Sequence, residues 1–257
     1  MNLHNSAVTV ILPVYNAEKF IEECLQSLAD QTYKDMQIIA IDDHSRDNSI
    51  KILRKFKHAL PGLEIHKNKK HYGLAVCYNR AMKRARGRFI AFMNPNDINA
   101  ISRFKRQVNF LLNHPKTVAV GTQFTSINDE NKKIMRSNLP ESYEEIYQNL
   151  LPASPIMPET VMIDRTMIPK DLLHFKHKKY PFIFTEVFIK LFQYGQVANI
   201  AHSLYFHRET AKRYGKQITG TKELIMRIRL WLNSRANGNY RPSWRLTIPA
   251  MIRHSYS

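Results

Sequence analysis

VTVILPVYNAEKFIEECLQSLADQTYKDMQIIAIDDHSRDNS, Val8 to Ser49, decides how this chain folds. VTVILPVY opens it as a nearly continuous apolar run rich in β-branched residues, which suits a strand buried on both faces. In AEKFIEECLQSLADQ, Phe20, Ile21, Cys24, Leu25 and Leu28 recur at helical spacing, and Asn16 stands where it can cap that helix. MQIIAIDD, Met36–Asp43, is a second buried strand that ends on two carboxylates. A helix between two such strands predicts a parallel pair with a right-handed crossover.

The alternation continues outward from this unit. DNSIKILRKF reads as a helix, GLEIHKN as a weaker strand, and GLAVCYNRAMKRARG as a third helix closed by a left-handed cap at Gly87. RFIAFM is a fourth strand, RFKRQVNFLLNHP a helix ended by Pro115, and TVAVG another strand. The expected class is therefore α/β, with a Rossmann-like, mostly parallel sheet flanked by helices. Ligands bind such sheets beyond the carboxyl ends of the strands. Pro13-Val14-Tyr15-Asn16, Asp42-Asp43-His44-Ser45 and Asn94-Pro95-Asn96-Asp97 share that rim. After Gly121 the pattern loosens. FTSIN and KKIMRS predict a hairpin around DEN, SYEEIYQNLL a helix, ETVMIDR a strand, IFTEVFIKLFQYG (Ile183–Gly195) a helix and QVANIAHSLYF a late strand.

The chain has 257 residues, a net charge of +18 and a pI near 9.9. From Ser203 onward there are 11 Lys/Arg against 2 acids, half of that net charge. Nucleic acid, an anionic membrane or a phosphate-bearing substrate would each suit this balance. No nucleic-acid-binding motif is present, so no such partner is expected. In KELIMRIRLWL, Leu224, Ile225, Ile228, Trp231 and Leu232 can share one helical face, with Arg227 and Arg229 toward the other. That pattern fits either an interfacial membrane helix or a helix packed on the domain. There is no basic-then-apolar leader and no run of roughly 18 apolar residues. The expected location is cytoplasmic, peripheral on the inner face of the cell membrane. Cys24 and Cys77 lie in helical patterns and read as core residues in a reducing compartment.

The order of these motifs resembles a family 2 glycosyltransferase. The resemblance rests on PVYN, the Gln-Thr-Tyr turn, IDDHSRDNS, GLAVCYNRAMKRARGRFIAFMNPNDI and RFKRQVNFLLNHPKTVAVGT. It is dense over residues 7–121 and loose over 122–207. It implies a GT-A fold over 1–207, with a nucleotide-binding half (7–121), an acceptor half (122–207) and a basic helical C-terminal extension (208–257). It also implies sugar transfer, with inversion, from a nucleotide-sugar donor to a glycan or lipid-linked acceptor in cell-surface polysaccharide synthesis.

The resemblance assigns nucleotide binding to Pro13, Tyr15, Asn16, Asp42, Asp43 and Asn79. Tyr15 would give a stacking face and Asp43 an acceptor for the base edge, although a bare turn-capping role for Asp42 and Asp43 needs no ligand. In the family an Asp-x-Asp-Asp loop holds magnesium or manganese, which prefer anionic oxygen ligands and stabilise the departing diphosphate. Here that loop reads Asn94-Pro95-Asn96-Asp97, leaving Asn96 and Asp97 as candidate ligands, unless Lys67–Lys70, Arg80, Lys83 and Arg84 take over the charge. The family's catalytic Glu-Asp pair falls on Ile183 and Phe184. Glu186 is the nearest carboxylate, about 300° round the helix from Ile183 and so nearly on its face. It is the candidate base. The family's Arg-x-His is also altered, in LYFHRET. A catalytically weak or inactive nucleotide-binding or interaction module is the alternative.

Overall fold

The computed structural model describes residues 7–176, 182–209, 221–236, 240–243 and 247. Its elements run β1 (Val8–Val14), α1 (Ile21–Ala29), β2 (Met36–Asp42), α2 (Ser49–Lys55), β3 (Leu63–Lys67), α3 (Leu74–Met82), β4 (Phe89–Phe92), β5 (Ile98–Asn99) and α4 (Arg103–Asn113). Then follow β6 (Thr117–Ile127), β7 (Lys133–Arg136), α5 (Tyr143–Ala153), β8 (Met162–Asp164), α6 (Phe182–Leu191), β9 (Gln196–Arg208) and α7 (Thr221–Ala236).

One nine-stranded sheet has the order β3-β2-β1-β4-β8-β6-β9-β5, with β7 on β6. The first four strands are all parallel, as their crossover helices require. The second half is mixed. β8 is antiparallel to both β4 and β6, and β9 is parallel to β6 but antiparallel to β5. The strand TVAVG therefore runs in the same direction as β4, but β8 lies between them.

Period-two alternation sorts the side chains into two layers. Val10, Leu12, Ile38, Ala40, Phe89 and Ala91 face the layer that holds α1, α2 and α4. Ile11, Ile39, Ile41, Ile90 and Phe92 face the layer of α3, α5 and α6. Cys24 and Cys77 are free thiols, one in each layer. Burial, assisted by nearby Asp97 and Asp43 respectively, pushes both thiols up.

Three local expectations are corrected. Asn16 does not cap α1, which starts behind Phe20 with no side-chain cap. Asn16 is left-handed (φ 48°), and its Oδ1 accepts from the Arg46 backbone N–H at 2.9 Å, joining the loops after β1 and β2. Gly87 is not left-handed; a Cβ there would lie 2.5 Å from the Ala7 carbonyl, so close approach to β1 excludes a side chain. Arg227 does not face away from the body of the protein. It donates to the carbonyls of Leu151 and Pro152, which end α5 and have no helical partner, and it pairs with Glu223. Leu224, Met226 and Trp231 pack inward beside it, while Ile225, Ile228 and Leu232 are exposed.

Candidate active site

The strand order places β1 next to both β2 and β4, so the chain changes direction across the sheet between β1 and β4. The last β1–β4 pair is Ile11–Phe92, whereas β1 and β2 stay paired to Val14–Asp42. β4 thus leaves the sheet early and opens a notch beside the end of β1, where α/β folds place ligands.

The loops on the β1 and β2 side are stitched together. The Asp43 N–H donates to the Val14 carbonyl (2.7 Å), and the Asn16 N–H donates to Ser45 Oγ (3.1 Å). Asp43 is buried, and both its oxygens are occupied. Oδ1 accepts from Asn68 Nδ2 (2.6 Å) and the Tyr72 N–H (2.9 Å); Oδ2 accepts from the Gly73 N–H (2.7 Å) and faces His71 Nδ1 (2.9 Å). Burial raises the Asp43 pKa, but the Tyr72, Asn68 and Gly73 hydrogen bonds and the nearby His71 outweigh it, leaving the group below the usual carboxylate range. Gly73 can aim its N–H this way because its φ is +89°, a conformation that glycine adopts without strain. Tyr15 is 45% exposed and lies 4.1 Å, centroid to centroid, from the His71 ring. Asp42 is fully buried at the end of β2, and its Oδ1 has no hydrogen-bond partner among the described residues. His44, which follows the two aspartates, is left-handed at φ 67°.

The structure therefore gathers Tyr15, Asn16, Asp42 and Asp43 on one stretch of rim, with Pro13 buried inside β1. Asn79 is used elsewhere. Its amide exchanges two 2.9 Å hydrogen bonds with the Phe175 backbone and fastens the segment before α6 onto α3.

On the β4 side, Asn94-Pro95-Asn96-Asp97 is a closed turn. The Asp97 N–H reaches the Asn94 carbonyl (3.2 Å), and Asn94 Oδ1 accepts from the Asn96 N–H (3.0 Å). Proline fixes the second position of such a turn, and asparagine side chains favour the first. Asp97 is fully buried, with its carboxylate turned toward β9. It accepts from Tyr205 Oη (2.9 Å) and the Arg208 N–H (2.9 Å), and it pairs with His207 Nδ1 (3.2 Å). Arg208 Nε holds the Asn96 carbonyl from behind (3.0 Å). The expected pair of metal ligands is thus split: Asn96 is half-buried on the rim, and Asp97 is a latch between the turn and β9. Among the described residues, no three His, Cys, Asp or Glu side chains cluster as a metal site. Magnesium and manganese want anionic oxygens, and the turn offers the Asn96 amide on the rim instead.

Ile183 and Phe184, on which the resemblance places the family's acidic pair, are core residues. Phe184 packs against Tyr78, Phe92 and Phe175. Glu186 is paired with Lys190 at 2.7 Å along α6. An apolar hollow of about 240 Å³ lies beside Phe184, Thr185 and Phe188; His207 lines it, and no carboxylate does.

One supporting residue escaped the sequence reading. Arg103 is fully buried on α4 and donates to Asn99 Oδ1, Gln107 Oε1 and the Phe92 and Glu159 carbonyls. Burial pushes its pKa down to about 10, so it stays charged at neutral pH behind the end of β4. The available signal was Arg103 and Gln107 four apart on the helix's inward face.

A parallel half-sheet joined through β8 to a mixed half is the architecture of a GT-A glycosyltransferase fold. The sequence model described as glycosyl transferase family 2 matches residues 9–192, and the chain belongs to that family. An Escherichia coli relative named UDP-Glc:alpha-D-GlcNAc-diphosphoundecaprenol beta-1,3-glucosyltransferase WfgD is 30% identical over 67% of this chain and 66% of its own length. An uncharacterized glycosyltransferase of Haemophilus influenzae is 28% identical over 68% of this chain and 69% of its own. Among solved structures, S. aureus TarS 1–349 in complex with UDP-GlcNAc superposes with a TM-score of 0.71 at 17% identity, over 89% of this chain and 67% of that one. The mannosyltransferase PcManGT from Pyrobaculum calidifontis, solved with GDP-Man and Mn2+, gives 0.61 at 17% identity, over 96% and 69%.

Proposed function

We propose that this chain binds a nucleotide-sugar donor on the rim formed by Tyr15, Asn16, Asp42 and Asp43. It passes the sugar, with inversion, to a glycan or lipid-linked acceptor in cell-surface polysaccharide synthesis. The observation that carries this reading is Asp43, held ionised by preset donors beside the exposed ring of Tyr15. Tyr15 offers a stacking face for a base, and Asp43 Oδ2 accepts from the base edge once the half-exposed His71 ring moves aside. WfgD and TarS, whose names and ligands are a UDP-sugar enzyme and a UDP-GlcNAc complex, support a nucleotide-sugar donor. In this reading Glu186 leaves Lys190 and takes the acceptor proton. The test is a transfer and hydrolysis assay of the full chain against UDP-, GDP- and dTDP-sugars, with lipid-linked and free glycan acceptors. Turnover with any of them supports the proposal.

A second reading, binding without transfer, is favoured by one specific observation: the acidic pair's positions are closed by Ile183 and Phe184. It is supported if nucleotide binds and no donor turns over. In either reading, α7 is proposed to contact the anionic inner face of the membrane. Its outward side carries Ile225, Ile228 and Leu232 with Lys222, Arg229 and Arg235. No described helix is long and apolar enough to cross a membrane.

A further inference from the structure

The turn after β4 does not suit the ion that the family uses there. A carboxylate facing a diphosphate repels it unless a cation lies between them. A side-chain amide has N–H donors of its own and can hydrogen-bond a phosphate oxygen directly. In this chain the half-buried position of the turn, Asn96, is an amide, Asn94 before it is a buried amide whose Oδ1 holds the Asn96 N–H, and the one carboxylate, Asp97, is spent on Tyr205, His207 and the Arg208 N–H. Asn96 is also preset. Its backbone N–H is tied to Asn94 Oδ1 and its carbonyl to Arg208 Nε, while its half-buried side chain makes no hydrogen bond within the described residues.

We infer that the Asn94–Asn96 turn takes the diphosphate of a nucleotide directly, without a divalent cation. This rests on the nucleotide reading above and deepens it: the site recognises a nucleoside diphosphate through amide donors at β4 and the Tyr15–Asp43 rim at β1 and β2. Losing the metal then goes with losing the charge at position 96, because removing the cation alone would leave a carboxylate facing the diphosphate.

The experiment is calorimetric titration of the full chain with UDP, GDP and dTDP, first in EDTA and then with manganese. Electron paramagnetic resonance of the same manganese samples reports bound ion independently. The expected result is a nucleotide Kd that changes by less than about threefold between the two conditions, with no loss of the free manganese signal beyond that given by the same nucleotide without protein. Asn96→Asp should weaken binding in EDTA by about tenfold and recover it when manganese is added. Asn96→Ser, which carries no charge, separates that effect from damage to the turn and should keep manganese without influence. Nucleotide binding by the wild type only when manganese is present overturns this inference and leaves the nucleotide reading standing. Absence of binding in both conditions overturns both. An Asn96→Asp variant that binds as well as wild type in EDTA removes the turn from the phosphate subsite and overturns the inference.

Discussion

Replacing Asp43 by asparagine tests the rim at its most constrained point. The wild-type carboxylate presents one oxygen to Asn68 Nδ2 and the Tyr72 N–H, and the other to the Gly73 N–H and His71. The introduced amide has one acceptor oxygen, so its NH2 must face one of these donor pairs. Asn68 cannot turn its amide without losing Arg80, which donates to its Oδ1. The less costly orientation keeps the oxygen toward Asn68 and Tyr72. It leaves the Gly73 N–H facing a donor and His71 facing an uncharged group. A stranded buried donor costs about 1–3 kcal/mol, and the His71 side chain, 53% exposed, adds at most about 1 kcal/mol, so the loss is about 1–4 kcal/mol. Urea titration should show a lower midpoint with an unchanged slope. The pH dependence gives a second check. The folded pKa of Asp43 is depressed below its unfolded value of about 3.9, so its stabilisation is full above that value and fades as pH falls through the folded pKa. The variant lacks this group, and the gap between the two proteins should narrow as pH falls from about 5 toward 3. A loss under about 0.5 kcal/mol at neutral pH, or a gap that stays constant on acidification, would refute the four-donor account.

Gly73→Ala meets no atom within 4 Å but must hold φ +89°; it should cost about 1–3 kcal/mol in chemical denaturation, and a neutral result would mean that the loop adopts another conformation. Glu186→Gln breaks the i,i+4 ion pair with Lys190, which accounts for about 0.5 kcal/mol of stability, and should abolish any sugar transfer; transfer at the wild-type rate would exclude Glu186 as base. Phe184→Asp puts a carboxylate among Tyr78, Phe92 and Phe175, and a loss of about 3–5 kcal/mol without gained transfer is expected in thermal and activity assays. The double variant Ile225→Glu with Leu232→Glu changes only exposed positions of α7 and should abolish sedimentation with phosphatidylserine vesicles while leaving the melting temperature within a few degrees, on the order of 1 kcal/mol.

The first half of the fold could be read because each of its signals is local. Val10 and Leu12 fall on one layer and Ile11 on the other through period-two alternation alone, and each crossover helix forces its strands parallel. The second half could not be read this way. β8 is three residues long, and its place between β4 and β6 is decided by which edges remain open, a property of the assembled sheet. The same limit applies within the site. Asp43 is fixed by neighbours within thirty residues, Asn68 to Gly73, whereas the partners of Asp97 arrive 108 to 111 residues later on β9. A motif comparison identifies which residue stands at each place of the family pattern, but not which way its side chain turns. In the β4 turn that distinction carries the chemistry. The acid that closes the turn, Asp97, turns inward to Tyr205 and the Arg208 N–H, where an amide would leave a donor facing a donor. Before it in the turn, Asn94 is buried with its Oδ1 on the Asn96 N–H, and Asn96 is half-buried on the rim. The latch to β9 requires a carboxylate at Asp97, while the turn's own hydrogen bonds are made with amides at the other two positions, so the place that faces a ligand carries no charge.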